Sequence, residues 1–214
     1  MKTQVKEKKL KFERIVKELY KKNWALIMMV ISINMLSQTN SISYNDSIIK
    51  KRLTDYYYNL RQEKLQRNIG HQFPTFQVES LFGQVYTEKN LIGKVTFVNF
   101  WFEYCSPCIA EFPELNDLFI RLNDNKKFQL LSFTKDSYEQ AKASVLKYQL
   151  LFPVICISEK ECFSLNFHSG FPTNIIVDET GKIIFIKSGG SLNKQQIEAN
   201  FQKLSIIIEQ ALSK

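Results

Sequence analysis

The chain has 214 residues, 44% of them hydrophobic and 23% charged, with a formal net charge of +8; it can bury one sizeable core and has ordinary globular composition. The excess charge lies upstream: residues 1–23 hold nine Lys or Arg against three Glu, whereas residues 72–214 hold fourteen basic and fifteen acidic side chains. A folded part without net positive charge excludes a nucleic-acid surface of the electrostatic kind, and no nucleic-acid partner is expected.

The first 36 residues read as a targeting device. The basic segment "MKTQVKEKKLKFERIVKELYKKN" precedes "WALIMMVISINML", thirteen residues from Trp24 to Leu36 that include Ser32 and Asn34. Positive charge holds its own side of a bilayer in the cytoplasm, so the chain beyond Leu36 is predicted to lie on the extracytoplasmic (periplasmic) side of a bacterial-type membrane. The run is shorter than the ~20 residues of a comfortable span and suits the core of a signal peptide as well. Ser41-Ile42-Ser43 offers small residues for cleavage. The long basic segment tips the reading towards a single-pass anchor that contacts the membrane through residues 24–36. Residues 37–71 come next as a polar linker, "SQTNSISYNDS", and a helix-patterned stretch ending at Gly70, read as a solvated spacer with a docking helix as the alternative.

Residues 72–214 form the predicted domain. "FQVESLFGQVYT" reads as a hairpin turning near Gly83. "KVTFVNFW" is nearly all apolar, as a strand buried on both faces requires. Residues 106–123 give a helix with Phe112, Leu115, Leu118, Phe119 and Leu122 on one face. "KFQLLSFT" is a second buried strand, "DSYEQAKASVLKYQ" a helix capped by Asp or Ser, and "FPVICIS" a third strand. A short helix around 160–167 precedes "TNIIVDETGKIIFIKSGG", two strands joined by a tight turn at 179–181, and "NKQQIEANFQKLSIIIEQALSK" closes the chain as a helix. The order β-α-β-α-β-β-α after an extra N-terminal hairpin predicts an α/β sandwich with a mixed sheet.

Four cysteines are present: Cys105, Cys108, Cys156 and Cys162. An even count in an exported chain suits disulfides. Cys105 falls where a buried strand ends and a helix begins. Unpaired N–H groups and the macrodipole put positive potential there, and cysteines in such motifs have pKa values of roughly 3.5–7.5 rather than about 8.5. Cys108 lies one turn further on the same side. A structural zinc site needs a second pair at similar spacing, whereas Cys156 and Cys162 are six apart and His168 stands alone. A purely structural bridge across two residues stabilises little. The pair therefore reads as redox-active, with no metal and no cofactor expected.

The stretch "FVNFWFEYCSPCIAEFPEL" resembles the active-site segment of exported TlpA/ResA-like thiol–disulfide oxidoreductases of the thioredoxin superfamily. The match covers about residues 72–190. It rests on Trp101 ahead of Cys105-Ser106-Pro107-Cys108, on Glu111 with Pro113, on "GFPTNIIVDETGKI", and on the entry "GHQFPTFQVESLFGQ…LIGKVTFVNFW". The resemblance implies a thioredoxin-like fold: a mixed central sheet flanked by helices, with an extra N-terminal β-hairpin. It implies that Cys105 attacks and Cys108 resolves, the two forming the redox-active disulfide. Pro172 would be a cis-proline facing them, with Phe171 and Thr173 beside it at the substrate. Trp101 and Pro107 would pack the site.

Thioredoxins carry a buried Asp where this chain has Asn99. Glu103 is then the expected acid–base group, with a surface carboxylate as the alternative. Tyr104 departs from the family's usual Trp. Cys156 and Cys162 fall outside the pattern and are expected as a structural disulfide, or else as inert buried thiols. The implied partners are a disulfide-containing exported protein as substrate and a membrane electron donor or recycling thiol protein. A redox-inactive thioredoxin-fold binding module and a thiol-ligated metal carrier stand as alternatives. A peroxidase of the peroxiredoxin type would need Thr where Phe102 stands.

Overall fold

The computed structural model describes residues 46–214, together with Arg14, Lys17, Glu18, Lys21, Met28, Met29 and Ser32. The basic segment, the apolar run expected as an anchor and the linker up to residue 45 otherwise lie outside the described residues. Among the described residues no helix is long and apolar enough to cross a membrane. The chain divides into two compact units at Tyr57 and Tyr58. In the first, residues 46–57 are helical. The second, from Tyr58 to Lys214, carries the redox motif.

This second unit has the α/β thioredoxin-like fold. Residues 58–66 are helical, termed α1, and a two-stranded hairpin follows, β1 (Gln77–Glu79) with β2 (Val85–Thr87). Gly83 makes its turn with φ +80°, open to glycine at no steric cost. The main sheet holds β3 (Val95–Trp101), β4 (Phe128–Thr134), β5 (Val154–Cys156), β6 (Thr173–Val177) and β7 (Ile183–Ser188), in the order β5-β4-β3-β6-β7. β3, β4 and β5 run parallel, and β6 and β7 are antiparallel to their neighbours. The helices are α2 (Ser106–Leu122), α3 (Tyr138–Tyr148), α4 (Glu159–Leu165) and α5 (Lys194–Leu212).

Period-two alternation sorts the strand residues between two cores. Phe97 and Trp101 of β3 face Phe112, Leu115 and Leu118 of α2 and Phe201, Leu204 and Ile208 of α5. Val98 and Phe100 face the other way, onto Phe73, Phe76, Tyr86 and Leu165. β3 is buried at all seven positions, as its apolar run predicts. The predicted cap of α3 is Ser137, whose hydroxyl accepts from Gln140 N–H while the Gln140 side chain returns to Ser137 N–H. The β6–β7 connection is the tight turn expected at 179–181: Asp178 N–H donates to Lys182 O at 2.8 Å and Gly181 N–H to Asp178 O at 2.9 Å. Asp178 closes residues 178–182 by accepting from Thr180 N–H, Thr180 Oγ1 and Lys182 N–H, and a bulge sits at Ile176/Val177.

The stretch expected as a spacer is, over 58–66, part of the domain. Leu65 is 2% exposed and enters the second core. Gln62 donates from Nε2 to Ser188 O at 2.8 Å and accepts from Ser188 N–H at 3.3 Å, and Gln66 donates to Ile186 O at 2.9 Å. These amides cover the outer edge of β7, which would otherwise present unpaired backbone groups. Leu65→Ala is expected to destabilise the domain by about 2–5 kcal/mol, the cost of a large-to-small change in a packed core. Urea denaturation of the two proteins checks this; a change near zero would restore the spacer reading.

Candidate redox site

β3 ends at Trp101, and four residues later α2 begins with Cys105 as its cap. Cys105 Sγ accepts from Cys108 N–H at 3.3 Å, and Cys105 O accepts from Cys108 N–H at 2.9 Å and Ile109 N–H at 3.0 Å. The Cys108 N–H is thus shared between the sulfur and the carbonyl oxygen of Cys105, a bifurcated bond of the kind common at helix termini. Cys105 and Cys108 are joined by a disulfide with Cα atoms 5.2 Å apart. Both are nearly buried, whereas Tyr104 beside them is 77% exposed. Trp101 is fully buried and meets Phe112 edge-on at 5.1 Å, in the same core as both cysteines.

The Phe171–Pro172 peptide is cis. Hydroxyl groups hold the loop that presents it. Ser169 Oγ donates to Asn166 O at 2.6 Å, Thr173 Oγ1 to Gly170 O at 2.7 Å, and Ser188 Oγ to Ser169 O at 2.6 Å. Gly189 N–H closes onto Pro172 O at 2.8 Å. A Cβ at Gly190 would lie 2.9 Å from Pro172 Cγ, 3.0 Å from Pro107 Cβ and 3.1 Å from Glu111 Oε1. Both prolines and the Glu111 carboxyl therefore converge on one point, where only glycine fits. Phe171 packs edge-on against Phe102 and Phe163 at 5.1 and 5.6 Å. Lys135 lies over the Phe102 and Phe171 rings and pairs with Glu159.

A polar row crosses the sheet behind the disulfide. Ser132, Asn99 and Asn174 are direct register partners on β4, β3 and β6. Ser132 Oγ donates to Asn99 Oδ1 at 3.2 Å, Asn99 Nδ2 to Asn174 Oδ1 at 2.7 Å, and Asn174 Nδ2 to Glu111 Oε2 at 3.0 Å. Glu111 follows Cys108 by one helical turn, on the same side of α2. It is only 4% exposed. Burial pushes its carboxyl up from 4.5 to about 7, against the opposing pull of the Asn174 bond and the Lys187 charge.

The structure brings together Cys105, Cys108, Pro107, Phe171, Pro172 and Thr173, and adds Glu111. Glu103 is half-exposed, its N–H donates to Asp136 Oδ2 at 2.7 Å, and its carboxylate acts on Lys147 of α3. The buried carboxyl of the site is thus Glu111. Helical spacing held the signal, since Cys105, Cys108 and Glu111 recur every three residues. The expected Cys156–Cys162 bridge is not formed, and both are free thiols. Cys156 packs on the α2 side of the sheet and Cys162 in the core on the opposite face. Burial pushes Cys156 up to about 11 and Cys162 up to about 12, so neither competes as a thiolate near neutral pH.

Comparison with known proteins places this geometry. The AhpC/TSA family pattern matches residues 69–186. The thiol–disulfide oxidoreductase ResA of a Bacillus cereus strain is 33% identical over 145 residues, which are 67% of this chain and 82% of that protein. A Chlorobium tepidum protein provisionally assigned as the thiol:disulfide interchange protein DsbE superposes with a TM-score of 0.59 at 24% identity, covering 67% of this chain and 97% of that one. A thiol:disulfide interchange protein from Bacteroides sp. gives 0.54 at 23% identity, covering 66% and 90%. The two structural likenesses carry the fold.

Glu111 also dictates a pH dependence of stability. Its folded pKa lies above its unfolded value, so the folded state holds the proton longer. Stability should fall as pH rises from about 4.5 to about 7 and then level off, a loss of about 3 kcal/mol. Glu111→Gln should remove that fall and be the more stable protein at pH 8. Denaturation midpoints of the two oxidised proteins across pH 4–8 check it; parallel curves would refute the assignment.

Proposed function

The chain belongs to the AhpC/TSA family, as a ResA-like thiol–disulfide oxidoreductase of the thioredoxin superfamily, and from that premise we propose that it reduces disulfides of exported proteins at the extracytoplasmic face of a bacterial-type membrane, apocytochrome c among them. The observation that carries this reading is the Cys105–Cys108 disulfide at the start of α2, with Glu111 one turn behind it and Pro172 meeting the same point.

In the reduced enzyme the Cys105 thiolate attacks one sulfur of the substrate disulfide. An S–S bond forms between enzyme and substrate, the substrate's own bond breaks, and the departing thiolate takes up a proton. Glu111 as carboxylate then accepts the Cys108 proton, and the Cys108 thiolate attacks Cys105 Sγ. The second substrate thiolate leaves and is protonated. The substrate has gained two electrons and two protons, and the enzyme holds the disulfide seen here. A membrane dithiol donor returns two electrons to it. The backbone of Phe171, next to Pro172 and outside any strand, pairs with the extended substrate segment. Thr173 supports this contact by holding Gly170 O from below.

The basic segment and the run Trp24–Leu36 support a single-pass anchor, which would place residues 46–214 outside the cytoplasm. The ResA name of the relatives fits that placement by analogy.

Insulin reduction by the native protein should fall to background in Cys105→Ser; equal rates would refute the enzyme reading. A reduction potential near about −270 mV is expected for a reductant, and one near about −120 mV would reverse the direction of electron flow. Alkaline phosphatase fused after residue 45 should be active in a bacterial host; an inactive fusion would overturn the topology.

A further inference from the structure

The polar row does not stop at Asn174. Its register partner on β7 is Lys187, and directly opposed residues place their side chains on one face of a sheet. That face is the one on which Asn174 meets Glu111. The half-buried Lys187 donates from Nζ to Asn200 Oδ1 on α5 at 3.2 Å. Glu111, Asn174, Lys187 and Asn200 line one cavity of about 130 Å³. Neither cysteine lines it. Phe185, Phe201 and Leu204 supply its apolar walls, so the four polar groups face one another across a largely apolar space.

The groups that act on Glu111 can be named element by element. α2 presents the disulfide. β3 and β6 present neutral amides, Asn99 and Asn174. β7 presents Lys187. α5 presents Asn200, with Lys203 exposed at the rim. Lys187 is therefore the half-buried cation on this face, and α5 holds it in place.

We propose that Lys187, steered by Asn200, is the positioning residue that keeps Glu111 ionisable at neutral pH and so able to accept the proton of Cys108. The inference rests on the acid–base role of Glu111 in the proposed reduction. An opposite charge nearby favours the carboxylate, whereas burial favours the acid. Without the ammonium, burial is opposed by the Asn174 hydrogen bond alone. Glu111 then stays protonated at neutral pH, and Cys108 loses its acceptor. Attack by Cys105 on a substrate is untouched, because that step does not use Glu111.

The test uses the full-length protein with Cys105 loaded as a mixed disulfide with 5-thio-2-nitrobenzoate. Cys108 attacks Cys105 Sγ, and the released chromophore reports the resolving step alone. Lys187→Met should raise the Glu111 midpoint by roughly one pH unit, read by carbon NMR of the carboxyl, and lower the release rate at pH 7 about fivefold with recovery near pH 9. Lys187→Arg should restore both, Asn200→Ala should shift both in the Met direction, and Lys203→Gln should change neither. The rate of loading Cys105 should stay the same throughout. A Glu111 midpoint unchanged in Lys187→Met would overturn the proposal, since a purely structural lysine would leave it in place. Glu111→Gln separates the two readings. A wild-type pH profile in that variant would refute the acid–base role, even where the NMR midpoint of Glu111 still follows Lys187.

Discussion

The hydrogen bond from Asn174 Nδ2 to Glu111 Oε2, 3.0 Å long, ties the sheet to the helix that carries the disulfide. A carboxyl this deep is costly to ionise, and burial favours its neutral form. The bond and the Lys187 charge work in the other direction, and the balance leaves the group near neutrality at about pH 7. That balance depends on the sheet. Asn174 can donate to Glu111 because its own oxygen accepts from Asn99, and Asn99's oxygen accepts from Ser132. Three strands in register are needed to orient one amide, so the chemistry of α2 depends on the pairing of β3 with β4 and β6.

Much of the fold was legible because the strands and helices signal themselves locally. β3, β4 and β6 are apolar runs, α2, α3 and α5 have caps or periodic faces, and Gly83 marks its turn. The site was legible where residues are adjacent in sequence, as in Cys105-Ser106-Pro107-Cys108, or where a motif repeats a known spacing, as at Gly170-Phe171-Pro172-Thr173. It was less legible where chain distance and spatial distance part. Glu103 is two residues from Cys105, yet it is half-exposed and its N–H is tied to Asp136 Oδ2. Glu111 is six residues away, yet the helix returns it beneath Cys108. Cys156 and Cys162 looked like a pair in sequence, but the sheet separates them.

The last turns of α1 make the same point from the other direction. Gln62, Leu65 and Gln66 sit in a polar, charged stretch that reads as solvated. Nothing local announces that two glutamine amides will cap the edge of a strand 120 or more residues later. That contact exists because β7 is the last strand of the sheet, and sheet order is a tertiary property. The same strand edge carries Ser188, whose hydroxyl holds Ser169 O in the loop before Pro172. Edge cover and site geometry are thus mechanically linked.

Asn99 is the departure from thioredoxins that the rest of the site explains. A carboxyl there would stand one amide away from Glu111 in the same dry layer. Two like charges so placed cannot both ionise, and each would push the other's pKa up. A neutral residue at 99 leaves a single proton-accepting group, on α2 rather than on β3. It also converts the strand position from a titrating group into a link of the row, since an amide can donate and accept at once where a carboxylate only accepts. Asn99 uses both capacities, giving to Asn174 and taking from Ser132. The carboxyl stands on the helix rather than on the sheet, and the Asn99 amide orients Asn174, its hydrogen-bond partner.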